Sequence, residues 1–452
     1  MMKKIINMNQ KIKIVFLFVI LIGLNISVIN AQENEISKEN RMAWFKDAKL
    51  GIFIHWGIYS VNGIDESWSF FNSYISHEDY MKQLNGFNAK KYDPEYWAKL
   101  IKESGAKYAV ITTKHHDGVA LWDSKVGDLN VVDKTKAKRD LIQPFAKAIR
   151  DQGLKLGLYY SLLDWSHPDY PNFTRVTKRY ENDEKRWSNF VKFNFGQLKE
   201  ISKLHPDLYW FDGDWEQTAE KWKAKEIREL LFKETPNTII NSRLQGYGDY
   251  ATPEQGVPIT SPTNKYWELC MTMNDSWGYQ PNDKEYKSTN QIIRIFVDCI
   301  SMGGNLLLDI APKPDGTIPK EQIEILQELG RWTNKHKEAI YGTRAGIPKE
   351  YFNGYTALSK DKTTLYLYVD NKPNGPLLIK GLKNKVNRVW VVGNGTKLSH
   401  KVMGKQYWSK VPGLLYIDLP LDVQDKEVTV IAVLLDGEVD LFKEEVKAIE
   451  SN

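Results

Sequence analysis

The chain has 452 residues, of which 42% are hydrophobic and 26% charged, and its formal net charge is +5. That length exceeds one ordinary domain and predicts two, and the composition is that of a globular chain, not a disordered or fibrous one. The small charge, supplied in part by N-terminal lysines, gives no basis for nucleic-acid binding.

Lys3, Lys4, Lys11 and Lys13 precede an apolar run over 14–24, and a mixed stretch ends in Val28-Ile29-Asn30-Ala31-Gln32. This is the order of a secretory signal, and the run is short for a membrane span. Residues 1–31 are therefore expected to be a signal peptide. The mature chain would begin near Gln32, carry no membrane span, and be periplasmic or extracellular.

From 32 to 346 the pattern alternates. Strands are expected at 51–56, 108–113, 154–161, 208–211, 238–241 and 305–310. Helices are expected at 94–104, 141–152, 180–202, 219–233, 291–302 and 320–337. Tyr96, Trp97, Leu100 and Ile101 share one face of the first helix, and Gly153 closes the second. Such alternation predicts an α/β architecture. Polar and aromatic residues follow the apolar part of each strand, which favours a (β/α)8-like barrel. A doubly wound sheet would need a Gly-rich phosphate loop after the first strand, and none is present. Gly303-Gly304 precedes a strand and does not open a helix.

Residues 347–452 carry short β-type runs at 355–358, 364–369, 376–379, 386–392, 414–417 and 428–434, split by Asn, Gly and Asp turns. A C-terminal antiparallel β-sandwich is expected. Cys270 and Cys299, the only cysteines, lie in apolar segments. They form either a disulfide or two buried thiols, and alone they cannot make a Cys-based zinc site.

Fifteen Trp and 23 Tyr serve either a large aromatic core or the stacking of pyranose rings. The strongest local signal is Leu208-Tyr209-Trp210-Phe211-Asp212-Gly213-Asp214-Trp215. An apolar strand runs into two acids flanked by tryptophans. Glycoside cleavage needs paired carboxylates, although Asp-Gly after a strand is also an ordinary turn. His115 and His116, in Lys114-His115-His116-Asp117-Gly118, could bind a metal, bind hydroxyls, or be structural. His55, before Trp56, suits a pocket floor or a satisfied core histidine. Arg243, Glu254 and Glu268 lie in the stretch 241–279. Either glutamate could supply an acid, which at neutral pH needs a raised pKa. Glu268, between Trp267 and Leu269, looks the more buried. Glu254 lies in a Pro-containing loop.

Taken in order, the segments 51–57, 114–118 and 157–161, Trp210-Phe211-Asp212-Gly213, Trp267-Glu268, Ser276-Trp277-Gly278-Tyr279 and 303–308 resemble the α-L-fucosidases of glycoside hydrolase family 29. The resemblance spans about residues 40–345, and the C-terminal β region matches the family's second domain. It implies a retaining mechanism without metal or other cofactor, on a fucosylated or related glycan. It implies Asp212 as nucleophile, with Glu254 the first choice for the acid/base and Glu268 the reserve. His55, Trp68, His115, His116, Tyr159, Trp210, Arg243 and Trp277 are implied to bind the sugar. Phe53, Trp210 and Trp277 are candidates for an apolar wall around the fucose methyl group. One departure stands out. Family members carry Glu-Trp early in the barrel, and here the sequence is Glu66-Ser67-Trp68. A galacto-configured substrate such as a β-galactoside, or a catalytically silent carbohydrate-binding protein, is the alternative. Oligomeric state is not legible.

Overall fold

The computed structural model describes residues 38–370 and 372–443. The expected signal peptide lies outside the described residues. Among those described, no helix is long and apolar enough to cross a membrane.

Seven parallel strands form one sheet in the order Ile239–Ile240, Leu208–Asp212, Lys155–Ser161, Tyr108–Lys114, Leu50–Ile54, Asn305–Ile310, Glu268–Met271. The segment 250–254 joins the two edges. Tyr250 bridges Asn241 on one side, while Ala251 and Glu254 bridge Trp267 and Cys270 on the other, all in parallel. The ring is thereby closed, with 250–254 in the sixth of eight positions, as the barrel expectation requires. The sequence pattern gave six of the eight. The two it did not give, 250–254 and Glu268–Met271, carry both candidate glutamates.

Most barrel strands are buried along their whole length, which is why they read as continuous apolar runs with no alternation. The helices read from the sequence appear with small changes. The long one begins at Glu184, where Asp183 caps it by accepting from the Arg186 N–H. The stretch 219–233 is two helices, Ala219–Trp222 and Ala224–Glu234, separated by Lys223 in a left-handed conformation (φ 58°). Gly51 is required by a close approach: a Cβ there would lie 2.3 Å from the Tyr108 ring, which fills the barrel interior.

The C-terminal region is antiparallel, with a five-stranded sheet facing a three-stranded one. It starts at Arg344–Ala345, paired to Tyr355–Leu358, slightly before the expected boundary. Both faces of the larger sheet are covered. Leu365, Leu367, Val389, Ile431 and Val433 pack with Ile379, Leu415 and Ile417 inside the sandwich. Tyr366, Tyr368, Val430 and Ala432 join the barrel's core. The helix Lys320–Lys335 fastens this contact: Trp332 Nε1 donates to the Val428 carbonyl at 2.8 Å, and Arg331 and Lys335 both reach Asp425. Cys270 and Cys299 are buried free thiols, so the disulfide alternative is not realised.

Candidate active site

The C-terminal ends of the strands surround a pocket of about 170 Å³. His55, His115, His116, Tyr159, Trp210 and Asp212 line it, together with Trp68, Arg243, Glu254 and Trp277. Phe53, Glu66 and Trp215 complete the lining. Ten of the eleven site residues expected from the sequence are thus brought together from segments far apart in the chain.

Asp212 ends its strand and is buried. Its carboxylate is held from two sides: Tyr159 Oη donates to Oδ2 at 2.9 Å, and Arg243 Nη1 donates to Oδ1 at 2.9 Å. Gly213 follows with φ +78°, a left-handed turn, and a Cβ there would meet Leu163 at 2.4 Å. The strand therefore ends with Asp212 aimed inward while the chain turns away. The other guanidinium nitrogen of Arg243, Nη2, donates to Glu254 Oε2 at 2.6 Å, and its Nε donates to Thr252 Oγ1 at 3.2 Å. One planar cation, lying 4.5 Å over the Trp210 ring, therefore joins two carboxylates. Burial opposes the charge on Arg243, but the facing Asp212 and Glu254 raise its pKa above the ordinary arginine value.

The three histidines are fixed through Nδ1. His55 Nδ1 is hydrogen-bonded to Asp309 Oδ1 at 2.8 Å. His115 Nδ1 is hydrogen-bonded to Ser67 Oγ at 2.7 Å. His116 Nδ1 is hydrogen-bonded to Ser161 Oγ at 2.6 Å. Because Ser161 donates its own proton to the Leu163 carbonyl, it accepts from His116, leaving His116 Nε2 as an acceptor. That Nε2 lies 3.6 Å from Asp212 Oδ2. Burial, reinforced by Lys114 and Arg243, pushes His116 down to about 3, and burial likewise holds His55 and His115 well below the usual histidine value. The imidazoles are neutral at neutral pH and suited to hydroxyl groups. Among the described residues no group of three or more His, Cys, Asp or Glu side chains could hold a metal ion.

Glu268 is the expected site residue that does not reach the pocket. It opens its strand instead of closing it, so it sits deeper in the barrel and is fully buried. Tyr108 Oη and Trp210 Nε1 both donate to its carboxylate, the latter at 3.1 Å. It supports the Trp210 ring from below. Burial pushes it up to about 7.

The Glu66-Ser67-Trp68 departure has a structural answer. Ser67, in the position of the family's Glu, is bonded to His115. Glu66 lines the pocket, accepting from the Gly278 N–H at 2.6 Å, and burial pushes it up to about 7. Asp309 was not singled out from the sequence, and Trp215, Ser67 and Ser161 entered only as members of motifs, without a role in the pocket. Asp309 carried a usable signal, as a lone acid near the end of an apolar strand.

A barrel whose C-terminal rim buries a carboxylate beside a second acid, among aromatic rings and neutral imidazoles, defines a glycoside-cleaving enzyme. The chain matches the alpha-L-fucosidase family model over residues 24–338. It is 30% identical over 410 residues to the alpha-L-fucosidase of Dictyostelium discoideum, covering 81% of this chain and 87% of that one. Its structure is similar to alpha-L-fucosidase isoenzyme 1 from Paenibacillus thiaminolyticus (TM-score 0.80, 34% identity, 88% of this chain and 100% of that one). It is also similar to a GH29 alpha-L-fucosidase from Bacteroides thetaiotaomicron, solved as a trapped covalent intermediate with 2-fluoro-fucosyl fluoride (TM-score 0.78, 28% identity, 88% and 96% covered). The chain belongs to the α-L-fucosidase family of glycosidases.

Proposed function

We propose that the enzyme releases terminal α-L-fucose by double displacement, with Asp212 as nucleophile and Glu254 as acid/base. The observation that carries this assignment is the Arg243 bridge, which spaces the two carboxyl groups by one guanidinium. A close pair, about 5–5.5 Å apart, is the arrangement of retaining enzymes.

Asp212 attacks the anomeric carbon as the glycosidic C–O bond breaks. Glu254 gives its proton to the departing oxygen, and a glycosyl ester remains on Asp212. Glu254 then takes a proton from water, whose oxygen attacks the same carbon and frees Asp212. Two inversions give net retention. Arg243 holds Glu254 Oε2, so the proton is assigned to Oε1. Tyr159 keeps its own proton, since burial and the adjacent Asp212 raise its pKa well above the usual tyrosine value. It therefore remains a donor that orients the nucleophile.

The neutral histidines and Glu66 suit the sugar hydroxyls. Phe53 lies 5.0 Å from the Trp210 ring and 6.1 Å from the Trp277 ring. These three rings offer an apolar wall to the fucose methyl group, which a galactoside would replace with a hydroxymethyl. We assign export to the Lys-rich and apolar N-terminal segment, with a periplasmic or extracellular site of action; the N-terminal sequence of the mature protein tests this. For the chemistry, the test is a panel of aryl α-L-fucosides and aryl β-galactosides, with Asp212→Gly as control. Fucoside cleavage by the wild type, its loss in the variant, and rescue by azide as the inverted glycosyl azide are expected. Wild-type turnover in Asp212→Gly would end the assignment.

A further inference from the structure

We propose that Trp215 is the stacking platform for the sugar to which fucose is attached, so that the enzyme selects its leaving group as well as fucose. This rests on the double-displacement reading of the pocket. Most of the lining is buried, and two members stand out as exposed: Trp215 at 50%, and Glu254, whose side chain is 40% exposed. They mark the mouth. The leaving oxygen must approach Glu254 to be protonated, and the next sugar ring must pass out through the mouth that Trp215 borders. Pyranose rings present apolar C–H faces, and a half-exposed indole is the surface they stack on.

The platform is rigid. The Asp214 carboxylate accepts from the Gln245 N–H at 2.9 Å, and the Asp214 carbonyl accepts from Trp222 Nε1 at 2.9 Å and Gln245 Nε2 at 2.8 Å. On the other side, Glu216 accepts from Trp165 Nε1, Tyr170 Oη and Asn172 Nδ2 at 3.1, 2.6 and 2.7 Å. Both neighbours of Trp215 are therefore tied down. The Trp215 ring lies nearly parallel to Trp68 (13°, 6.2 Å between centroids) and edge-on to His116 at 5.7 Å. Among the described residues its indole N–H has no acceptor. An exposed tryptophan held still at the mouth of a pocket is a preorganised contact, which binds without losing the entropy of ordering a loop.

The experiment compares kcat/KM on α-L-fucosyl fluoride, whose leaving group has no ring, with kcat/KM on the α-L-fucosyl disaccharide that the wild type cleaves fastest. In Trp215→Ala the disaccharide-to-fluoride ratio is expected to fall about tenfold, and in Trp215→Phe to stay within about threefold of wild type. A ratio unchanged in Trp215→Ala overturns the proposal, whether both values fall together or neither falls. So does a wild type that cleaves the fluoride but none of the disaccharides. Failure of the wild type on the fluoride itself would instead count against the fucosidase mechanism.

Discussion

Arg243 and Asp212 are joined by a 2.9 Å hydrogen bond between Nη1 and Oδ1, while the other arm of the same guanidinium reaches Glu254. Lysine has a point charge and no fork, so it cannot hold both acids in one plane. Arg243→Lys is expected to lose about a hundredfold in kcat/KM on aryl α-L-fucosides, with the far-UV circular dichroism of the wild type. Activity within a few-fold of wild type would mean that the bridge does not set the geometry.

Glu254 and Glu268 separate by their dependence on the leaving group. Glu254→Ala is expected to keep much of its glycosylation rate when the aryl leaving group is a weak base, and to lose far more when it is a strong base. Glu268→Ala should show no such dependence. It should instead lose stability, about 1–3 kcal/mol for each buried donor left unpaired on Tyr108 and Trp210, read from urea denaturation. The opposite pattern would exchange the two roles.

The buried Glu268 also shapes stability against pH. Its carboxyl is pushed from 4.5 up to about 7, chiefly by burial. Between these values the unfolded chain has released the proton and the folded chain still holds it. Glu268 therefore contributes stability that is present below 4.5 and lost as pH rises through about 7. Glu268→Gln should flatten the fall in unfolding free energy over that window. An unchanged slope would remove Glu268 as its source.

Ser161 fixes His116 by accepting from Nδ1. In Ser161→Ala the ring can adopt the other tautomer and present a donor where the sugar meets an acceptor. A rise in KM of about three- to tenfold is expected, with a smaller change in kcat, since one net hydrogen bond is at stake. Unchanged KM values with aryl fucosides would show that the ring is held by packing alone.

The legible strands were those buried as long apolar runs, such as Tyr108–Lys114 and Asn305–Ile310. The segment 250–254 reads as a loop from the sequence because it contains Pro253, and in the structure it makes only isolated bridges. Nothing in Tyr-Ala-Thr-Pro-Glu marks a strand until both edges of the sheet lie beside it. Its closure of the barrel turns Glu254 from a loop residue into one aimed at the pocket. The break at Lys223 was hidden for a similar reason, since 219–234 has helical periodicity on both sides of it.

By itself the sequence determined the barrel-and-sandwich architecture, the acid that ends the strand in Trp210-Phe211-Asp212-Gly213, and the set of aromatic and imidazole groups, because burial periodicity and motif order are local properties of a chain. Only the tertiary structure decided which glutamate faces Asp212, that Glu66 and not Ser67 enters the pocket, and that Trp215 stands at its mouth. Those outcomes depend on where each residue falls along a barrel strand or loop, and that depth is set by pairing with strands far away in sequence.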